Sequence, residues 1–160
     1  MRTAAELQDL AQARAQKQSV MVHGVATDYW VYPAKTNPKT SETIVLVHGY
    51  RGDHHGLESF AGALDEFNVV APDLPGFGSS APLKVEHTLD NYIAWMIDFV
   101  GELKLDKPIA IGHSFGTLII TGAQDQKEIF KAMICINPVA GGITKGLSRI
   151  LLNFVKFYYF

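Results

Sequence analysis

The alternation of two hydrophobic patterns is the strongest constraint on how this chain folds. In one pattern, typical of amphipathic helices, apolar residues recur every three or four positions: over 57–67, and again over 89–103 after a capping Thr88. Continuous short apolar runs are typical of strands buried on both faces of a parallel sheet. Four such runs are present: residues 44–47, 69–71, 109–111 and 133–136. Strands alternating with helices predict an α/β protein with a doubly wound, mostly parallel sheet.

The segment before the first of these strands carries weaker signals. Residues 4–18 predict a short helix, and residues 19–32 predict two short strands joined by a turn at Thr27 and Asp28. We divide the chain into a helical lead (1–19), a core (20–138) and a C-terminal segment (139–160).

The composition excludes several classes of function. The 14 basic and 16 acidic side chains give a net charge of −2, whereas nucleic-acid binding requires clustered positive charge. The single cysteine, Cys135, excludes an intramolecular disulfide, and its apolar setting predicts a buried, unreactive thiol. With no signal peptide and no run of 18 apolar residues, the sequence predicts a cytoplasmic protein without a transmembrane helix.

A G-x-S-x-G run lies where the third buried strand ends and a helix begins. It consists of residues 112–116, with Ser114 between Gly112 and Gly116. A strand, sharp turn and helix are the context of a nucleophile elbow, in which small residues let the serine hydroxyl stand above the sheet. The structural alternative is a serine that caps the helix between two glycines.

Two further loops extend this pattern into a resemblance to a known family. Residues 48–52 (HGYRG) are similar to the HG-x-x-G oxyanion loop of the α/β-hydrolase superfamily. Residues 73–80 (DLPGFGSS) resemble its D-x-x-G-x-G-x-S loop. The resemblance covers roughly residues 20–138 and points to the N-terminal portion of the serine-nucleophile branch.

The resemblance implies an acyl-transfer site without a cofactor. Ser114 would attack the carbonyl carbon of an ester or related acyl bond. The backbone N–H groups of Tyr50 and Phe115 would form the oxyanion hole.

The resemblance also assigns structural positions around that site. His48 and Gly49 would hold the oxyanion loop, with His48 structural rather than the catalytic base. Asp73 would organise its loop rather than serve as the catalytic acid. Gly112 and Gly116 would make room for the sharp turn.

Two other patterns suggest binding sites that we reject. Residues 76–81 satisfy a dinucleotide fingerprint, but no helical period begins before Thr88, so no nicotinamide or flavin cofactor is expected. His54, His55 and Glu58 suggest a metal cluster. Adjacent histidines do not easily face one ion and no further ligand is obvious, so we expect solvated surface and no metal.

The catalytic triad of the resembling family is incomplete in this sequence. The family order is Ser, then Asp or Glu, then His. Residues 115–160 contain no histidine, and their only acidic residues are Asp125 and Glu128. A serine hydroxyl without a base is a poor nucleophile at neutral pH. We therefore expect a chain truncated before the last core strands, inactive or very weak as it stands.

The C-terminal segment has an amphipathic pattern that resembles the start of the family's lid or cap helix. Such a helix lines an apolar substrate pocket. The basic and aromatic residues of 145–160 leave a membrane-surface helix as the alternative. An uncovered apolar face and an open sheet edge predict self-association.

Two functions follow from these observations. The first is a serine hydrolase that acts on a small to medium, largely apolar, ester-like substrate. The second is a non-catalytic, hydrolase-like domain that binds a small molecule in the same pocket.

Overall fold

The computed structural model describes residues 2–139, which form one six-stranded sheet flanked by helices. The strands are β1 (Gln16–Val22), β2 (Val25–Tyr32), β3 (Thr43–Val47), β4 (Asn68–Pro72), β5 (Ile109–His113) and β6 (Ala132–Ile136). The helices are α1 (Ala4–Gln12), α2 (Glu58–Ala63), α3 (Leu89–Glu102) and α4 (Phe115–Lys127), with a 3₁₀ turn, His54–Leu57, before α2.

The sheet has the spatial order β1-β2-β4-β3-β5-β6. β1 pairs with β2 and β2 pairs with β4 in antiparallel fashion, whereas β3, β4, β5 and β6 are mutually parallel. The predicted mostly parallel α/β sheet is confirmed, with all four of its predicted central strands.

Two hydrophobic cores cover the two faces of this sheet, as strand β3 illustrates. Val45 and Val47 belong to the core under α3 and α4. Ile44 and Leu46 belong to the core under α1 and α2. Successive side chains of a strand point to opposite faces, so a continuous apolar run is needed where both faces are covered.

The cap of α3 is the one that the sequence predicts. The Thr88 side chain accepts a hydrogen bond from the Asn91 N–H, and the helix buries Tyr92, Ile93 and Met96 against the sheet. This helix forms because its apolar stripe recurs at helical spacing behind a good N-cap.

Three N-terminal predictions need correction. Helix α1 ends at Gln12, and β1 already begins at Gln16 inside the predicted helical lead. The hairpin turns at His23 and Gly24, whose φ angles are 52° and 68°, rather than at Thr27 and Asp28. Two residues with positive φ suit the tight turn of a two-residue hairpin, and Thr27 and Asp28 lie in β2 instead.

The prediction of a buried Cys135 is also wrong. Cys135 is exposed, as are Ala132, Met133 and Ile134 on the same strand. Among residues 2–139, β6 is an edge strand that pairs only with β5. An apolar run identifies a strand but not the elements that cover it.

The predicted cap or membrane-surface helix falls mostly on residues 140–160, outside the described part of the chain. Within residues 2–139, no helix has both the length and the apolar character needed to cross a bilayer.

Candidate active site

Ser114 occupies a strained turn between β5 and α4. Its φ is 50° and its ψ is −113°, a combination outside the regions that residues with a Cβ favour. Its N–H donates to the Ile136 carbonyl at 3.0 Å, and its carbonyl accepts from the Thr117 N–H at 3.0 Å and the Thr117 hydroxyl at 2.6 Å. The end of β6 and the first turn of α4 therefore hold the strained backbone.

The two glycines of the elbow (residues 112–116) are required by the backbone around them. A Cβ on Gly112 would lie 2.7 Å from the Gly116 carbonyl oxygen. A Cβ on Gly116 would lie 2.3 Å from the Val47 carbonyl oxygen. Because backbone atoms cannot move aside as a flexible side chain can, the close packing of α4 against β5 depends on Gly112 and its packing against β3 on Gly116.

The Ser114 hydroxyl does not cap helix α4. Ser114 occupies the N-cap position, yet its side chain makes no capping hydrogen bond. The capping explanation of this serine is therefore wrong, and its half-buried side chain lies at the wall of a cavity.

That cavity has a volume of about 250 Å³ and is lined by the elbow and by the loop after β3. The lining residues are His48, Gly49, Tyr50, Arg51, Gly52, Asp53, Gly56, Leu57, His113 and Ser114. A larger cavity of about 480 Å³ lies where β3 and β5 begin, among residues 41–43 and 104–109 and Lys131. In parallel sheets ligands bind beyond the carboxyl ends of the strands, so we take the smaller cavity as the candidate site.

The oxyanion loop (residues 48–52) packs directly on the elbow. A Cβ on Gly49 would lie 3.2 Å from the Ser114 Cβ, and the Gly52 N–H donates to the Gly49 carbonyl at 3.1 Å to close the turn. Phe115 is the first residue of α4, so its N–H has no acceptor within the helix. Tyr50 belongs to the loop on the other side of the cavity. That the backbone N–H groups of Tyr50 and Phe115 act as oxyanion donors stays a prediction.

His48 ties the oxyanion loop to the loop after β4. It is 2% exposed. Its Nδ1–H donates to the Gly49 carbonyl at 2.7 Å, and its Nε2 accepts from the Leu74 N–H at 2.9 Å. Burial lowers the pKa of His48, so the ring is neutral at pH 7 in the tautomer that these bonds require.

Asp73 is buried at the start of the aspartate loop (residues 73–80). Its Oδ1 accepts from the N–H and the Nδ1–H of His54, both at 2.9 Å, and its Oδ2 accepts from the Ser79 N–H at 2.8 Å. Burial by itself would raise the pKa of Asp73, but these bonds outweigh it and hold the pKa below its ordinary value. The carboxylate joins its own loop to the 3₁₀ turn.

An aromatic cluster beside the elbow was missed by the sequence analysis. The rings of Tyr50 and Phe115 lie 6.2 Å apart, those of Tyr50 and Phe77 5.5 Å, and those of Tyr92 and Phe115 5.4 Å. Burial raises the pKa of Tyr92 to about 12, so it is a neutral phenol that donates to the Pro75 carbonyl at 2.9 Å. The rings come from separate segments of the chain, so their spacing in the sequence does not predict that they pack together.

The prediction of a solvated surface at His54, His55 and Glu58 is wrong for two of the three residues. His54 and Glu58 are 4% and 2% exposed. The His54 ring donates a hydrogen bond to Asp73, and the Glu58 carboxylate accepts hydrogen bonds from two side chains of α1. His55 alone is exposed.

Comparison with known proteins agrees with this geometry. Residues 42–159 match the alpha/beta hydrolase fold family, and the chain belongs to that family. The resemblance predicted from the sequence and the fold class are thereby confirmed.

Two curated relatives are 30% identical to this chain. One is the (E)-2-((N-methylformamido)methylene)succinate hydrolase of Acinetobacter baylyi, which matches over 103 residues, or 61% of this chain and 38% of that protein. The other is the dihydrolipoyllysine-residue acetyltransferase component of an acetoin cleaving system from Cupriavidus necator. It matches over 104 residues, or 64% of this chain and 28% of that protein. The match thus spans less than two-fifths of either relative.

A bacterial membrane phospholipase A is similar in structure, with a TM-score of 0.76. The superposition covers 94% of this chain and 48% of that protein at 23% sequence identity. At this identity the similarity establishes the fold only. The relatives in sequence and in structure include hydrolases.

Proposed function

We propose that Ser114 is the nucleophile of a serine hydrolase that acts on ester or related acyl bonds. One observation carries this proposal: Ser114 adopts a strained backbone conformation while its hydroxyl caps nothing. Backbone strain of this kind costs about 1–3 kcal/mol and is found mainly where a site needs a side chain held in one place.

In the proposed reaction, the Ser114 Oγ attacks the carbonyl carbon of the substrate and loses its proton to a base. The carbonyl oxygen becomes an oxyanion, which accepts hydrogen bonds from the Tyr50 and Phe115 N–H groups. Preorganised donors of this kind contribute about 3–4 kcal/mol each to transition-state stabilisation. The leaving alcohol takes up the proton, and water then releases the acid from Ser114.

The base of this reaction is proposed to lie outside the 160 residues. His48 is unsuited to the role, because both of its ring nitrogens are engaged in hydrogen bonds. No histidine follows Ser114 in residues 115–160. The complete enzyme would obtain its acid and its histidine from additional sequence.

The aromatic cluster supports an apolar acyl group as the substrate class. Tyr50 lines the cavity and is 48% exposed, so the oxyanion loop presents aromatic surface there. Burial of such surface favours apolar ligands. We propose a small to medium, ester-like substrate, and a cytoplasmic enzyme on the sequence evidence.

An esterase assay of the 160-residue chain with short p-nitrophenyl esters tests the proposal about the base. We expect little turnover above buffer, and the same rate for Ser114→Ala. Robust turnover that disappears in Ser114→Ala would contradict it, because one of the six histidines before Ser114 would then act as the base.

The second candidate is a non-catalytic domain that binds a small molecule in the same cavity. If the protein were complete at Phe160, the absence of histidine from residues 115–160 would favour it. The coding sequence distinguishes the two. An open frame past Phe160 with Asp or Glu and then His supports the enzyme, whereas a natural stop codon there supports the binding domain.

A further inference from the structure

Three potential metal ligands converge behind the oxyanion loop, apart from the proposed acyl site. His54, His55 and Glu58 each offer a ligand atom, and these atoms lie within 4.8 Å of one another. His54 and Glu58 do not line the cavity that contains Ser114. The proposed function therefore leaves this cluster without a role.

The His54 ring is held in one orientation. Its Nδ1–H donates to Asp73 at 2.9 Å, and its ring stacks on Trp30 with centroids 3.3 Å apart and planes 9° apart. In metal sites a histidine that donates one ring N–H to a carboxylate presents its other nitrogen to the metal. In residues 2–139 the His54 Nε2 makes no hydrogen bond and remains available.

The Glu58 carboxylate is held just as firmly. Its Oε2 accepts hydrogen bonds from the side-chain amides of Gln8 and Gln12, both at 2.8 Å. Its Oε1 lies 3.2 Å from the His55 Nδ1. Burial by itself would raise the pKa of Glu58, but Gln12, Gln8 and His55 together hold it below its ordinary value.

A buried anion of this kind needs a positive charge nearby. Over residues 2–139, His55 is the only basic side chain that forms an ion pair with Glu58. A divalent cation would supply positive charge beside the Glu58 carboxylate and could be bound by the same two side chains.

His55 is the adjustable member of the cluster. Its side chain is 60% exposed, so it is free to rotate toward the other two groups. Zinc binds histidine nitrogen and carboxylate oxygen at about 2.0–2.2 Å, which brings tetrahedral ligands to about 3.4 Å from one another. The His55 Nδ1 and the Glu58 Oε1, 3.2 Å apart, already have nearly this spacing.

We propose that His54, His55 and Glu58 form a divalent transition-metal site, with zinc as the best-fitting ion. Two imidazoles and one carboxylate are zinc-type ligands, and water completes the coordination. The ion would link α1, through Gln8 and Gln12, to the 3₁₀ turn that follows the oxyanion loop. Because none of the three ligands lines the cavity that contains Ser114, we assign the ion a structural role.

Zinc titration of the untagged 160-residue chain in competition with a chromophoric chelator tests this site. We expect one equivalent to bind with a dissociation constant of about 10 μM or tighter. His55→Ala should weaken binding at least about tenfold, because it removes a ligand from the surface without disturbing the core. Cobalt should give the visible absorption of a low-symmetry site in the unmodified chain and lose it in His55→Ala.

Two further variants separate a site from general surface binding. Gln12→Ala leaves all three ligands in place, and we expect about tenfold weaker binding because Glu58 loses a supporting hydrogen bond. His23→Ala removes a surface histidine paired with Asp98 and should not change affinity. Binding weaker than millimolar, or binding unaffected by His55→Ala, would overturn the proposal and leave a plain His55–Glu58 ion pair.

Discussion

Two glycine-containing turns follow the parallel strands β4 and β5, which lie on either side of β3, yet the two turns are built in opposite ways. In the aspartate loop, polar side chains hold the turn: the Asp73 carboxylate accepts four hydrogen bonds, two of them from His54, and the Ser80 hydroxyl donates to the Asp73 carbonyl at 2.7 Å. In the elbow, Ser114 is held by its backbone only, and its side chain caps nothing. One turn uses its polar side chains to hold the fold, whereas the other leaves a hydroxyl that caps nothing, which we propose is the nucleophile.

The glycines of the two turns show the same difference. A Cβ on Gly78 would lie 2.0 Å from the Asp73 carboxylate, so this glycine makes room for a hydrogen-bonding side chain. A Cβ on Gly116 would meet the backbone of β3. The elbow thus depends on tight packing of secondary structure and the aspartate loop on a buried charge, which makes the two turns separable by mutation.

The largest expected effect is that of Gly116→Ala. The added Cβ would lie 2.3 Å from the Val47 carbonyl oxygen, so α4 and β3 must separate. Overpacking of this kind costs about 3 kcal/mol of unfolding free energy. Urea denaturation followed by tryptophan fluorescence measures the loss.

Gly101→Ala is the matched control for this prediction. A Cβ on Gly101, in the last turn of α3, has no neighbour within 4 Å. The substitution should stabilise the protein by about 0.5–1 kcal/mol, because alanine favours helices. Equal stability of the two variants would show that the elbow does not depend on close packing.

The next largest effect is that of Asp73→Asn, which removes the charge at the centre of the aspartate loop. Hydrogen bonds to a charged group contribute about 1.5–3 kcal/mol, so we expect a loss of about 2 kcal/mol at pH 7. Because the folded pKa of Asp73 is depressed, its contribution is complete above the unfolded pKa of about 3.9 and disappears as pH falls through the folded value.

Urea denaturation at pH 7 and at pH 3 checks this dependence. The difference in stability between the unmodified chain and Asp73→Asn should shrink at the lower pH. Asp125→Asn, at an exposed position on α4, should change stability by less than about 0.5 kcal/mol at pH 7. A difference for Asp73→Asn that is constant with pH would mean that the charge is not what holds the loop.

The smallest of the three effects is a gain in stability from Ser114→Gly. Glycine relieves the strain of φ 50° and ψ −113° but loses more backbone entropy on folding, so a net gain of about 1 kcal/mol is expected. Ser114→Ala removes the same hydroxyl and keeps the Cβ, so its stability should stay within about 0.5 kcal/mol of the unmodified chain. If both variants are equally stable, the strain at Ser114 is negligible.

The sequence predicts the central strands and the elbow because their signals are local. Each apolar run is one strand, and the G-x-S-x-G spacing lies within a single turn. The hairpin turn at His23 and Gly24 was missed because a histidine with positive φ has no strong sequence signature.

Other features depend on contacts between distant segments. The burial of Glu58 is set by Gln8 and Gln12, some 50 positions earlier in the chain. The exposure of Cys135 depends on what covers β6, which an apolar run does not reveal. Local pattern therefore predicts elements, while the environment of a polar or reactive group requires the three-dimensional fold.

Reaction of the chain with an alkyl fluorophosphonate, followed by peptide mapping in a mass spectrometer, tests the central claim most directly. With imidazole added as an external base, the Ser114 Oγ would displace fluoride from phosphorus and lose its proton to the imidazole. The backbone donors around the elbow would stabilise the negative charge that develops on the phosphoryl oxygen, so we predict labelling of Ser114 at least about tenfold faster than of exposed Ser19 or any other serine. Labelling of Ser114 no faster than of Ser19 would contradict the assignment of Ser114 as the nucleophile.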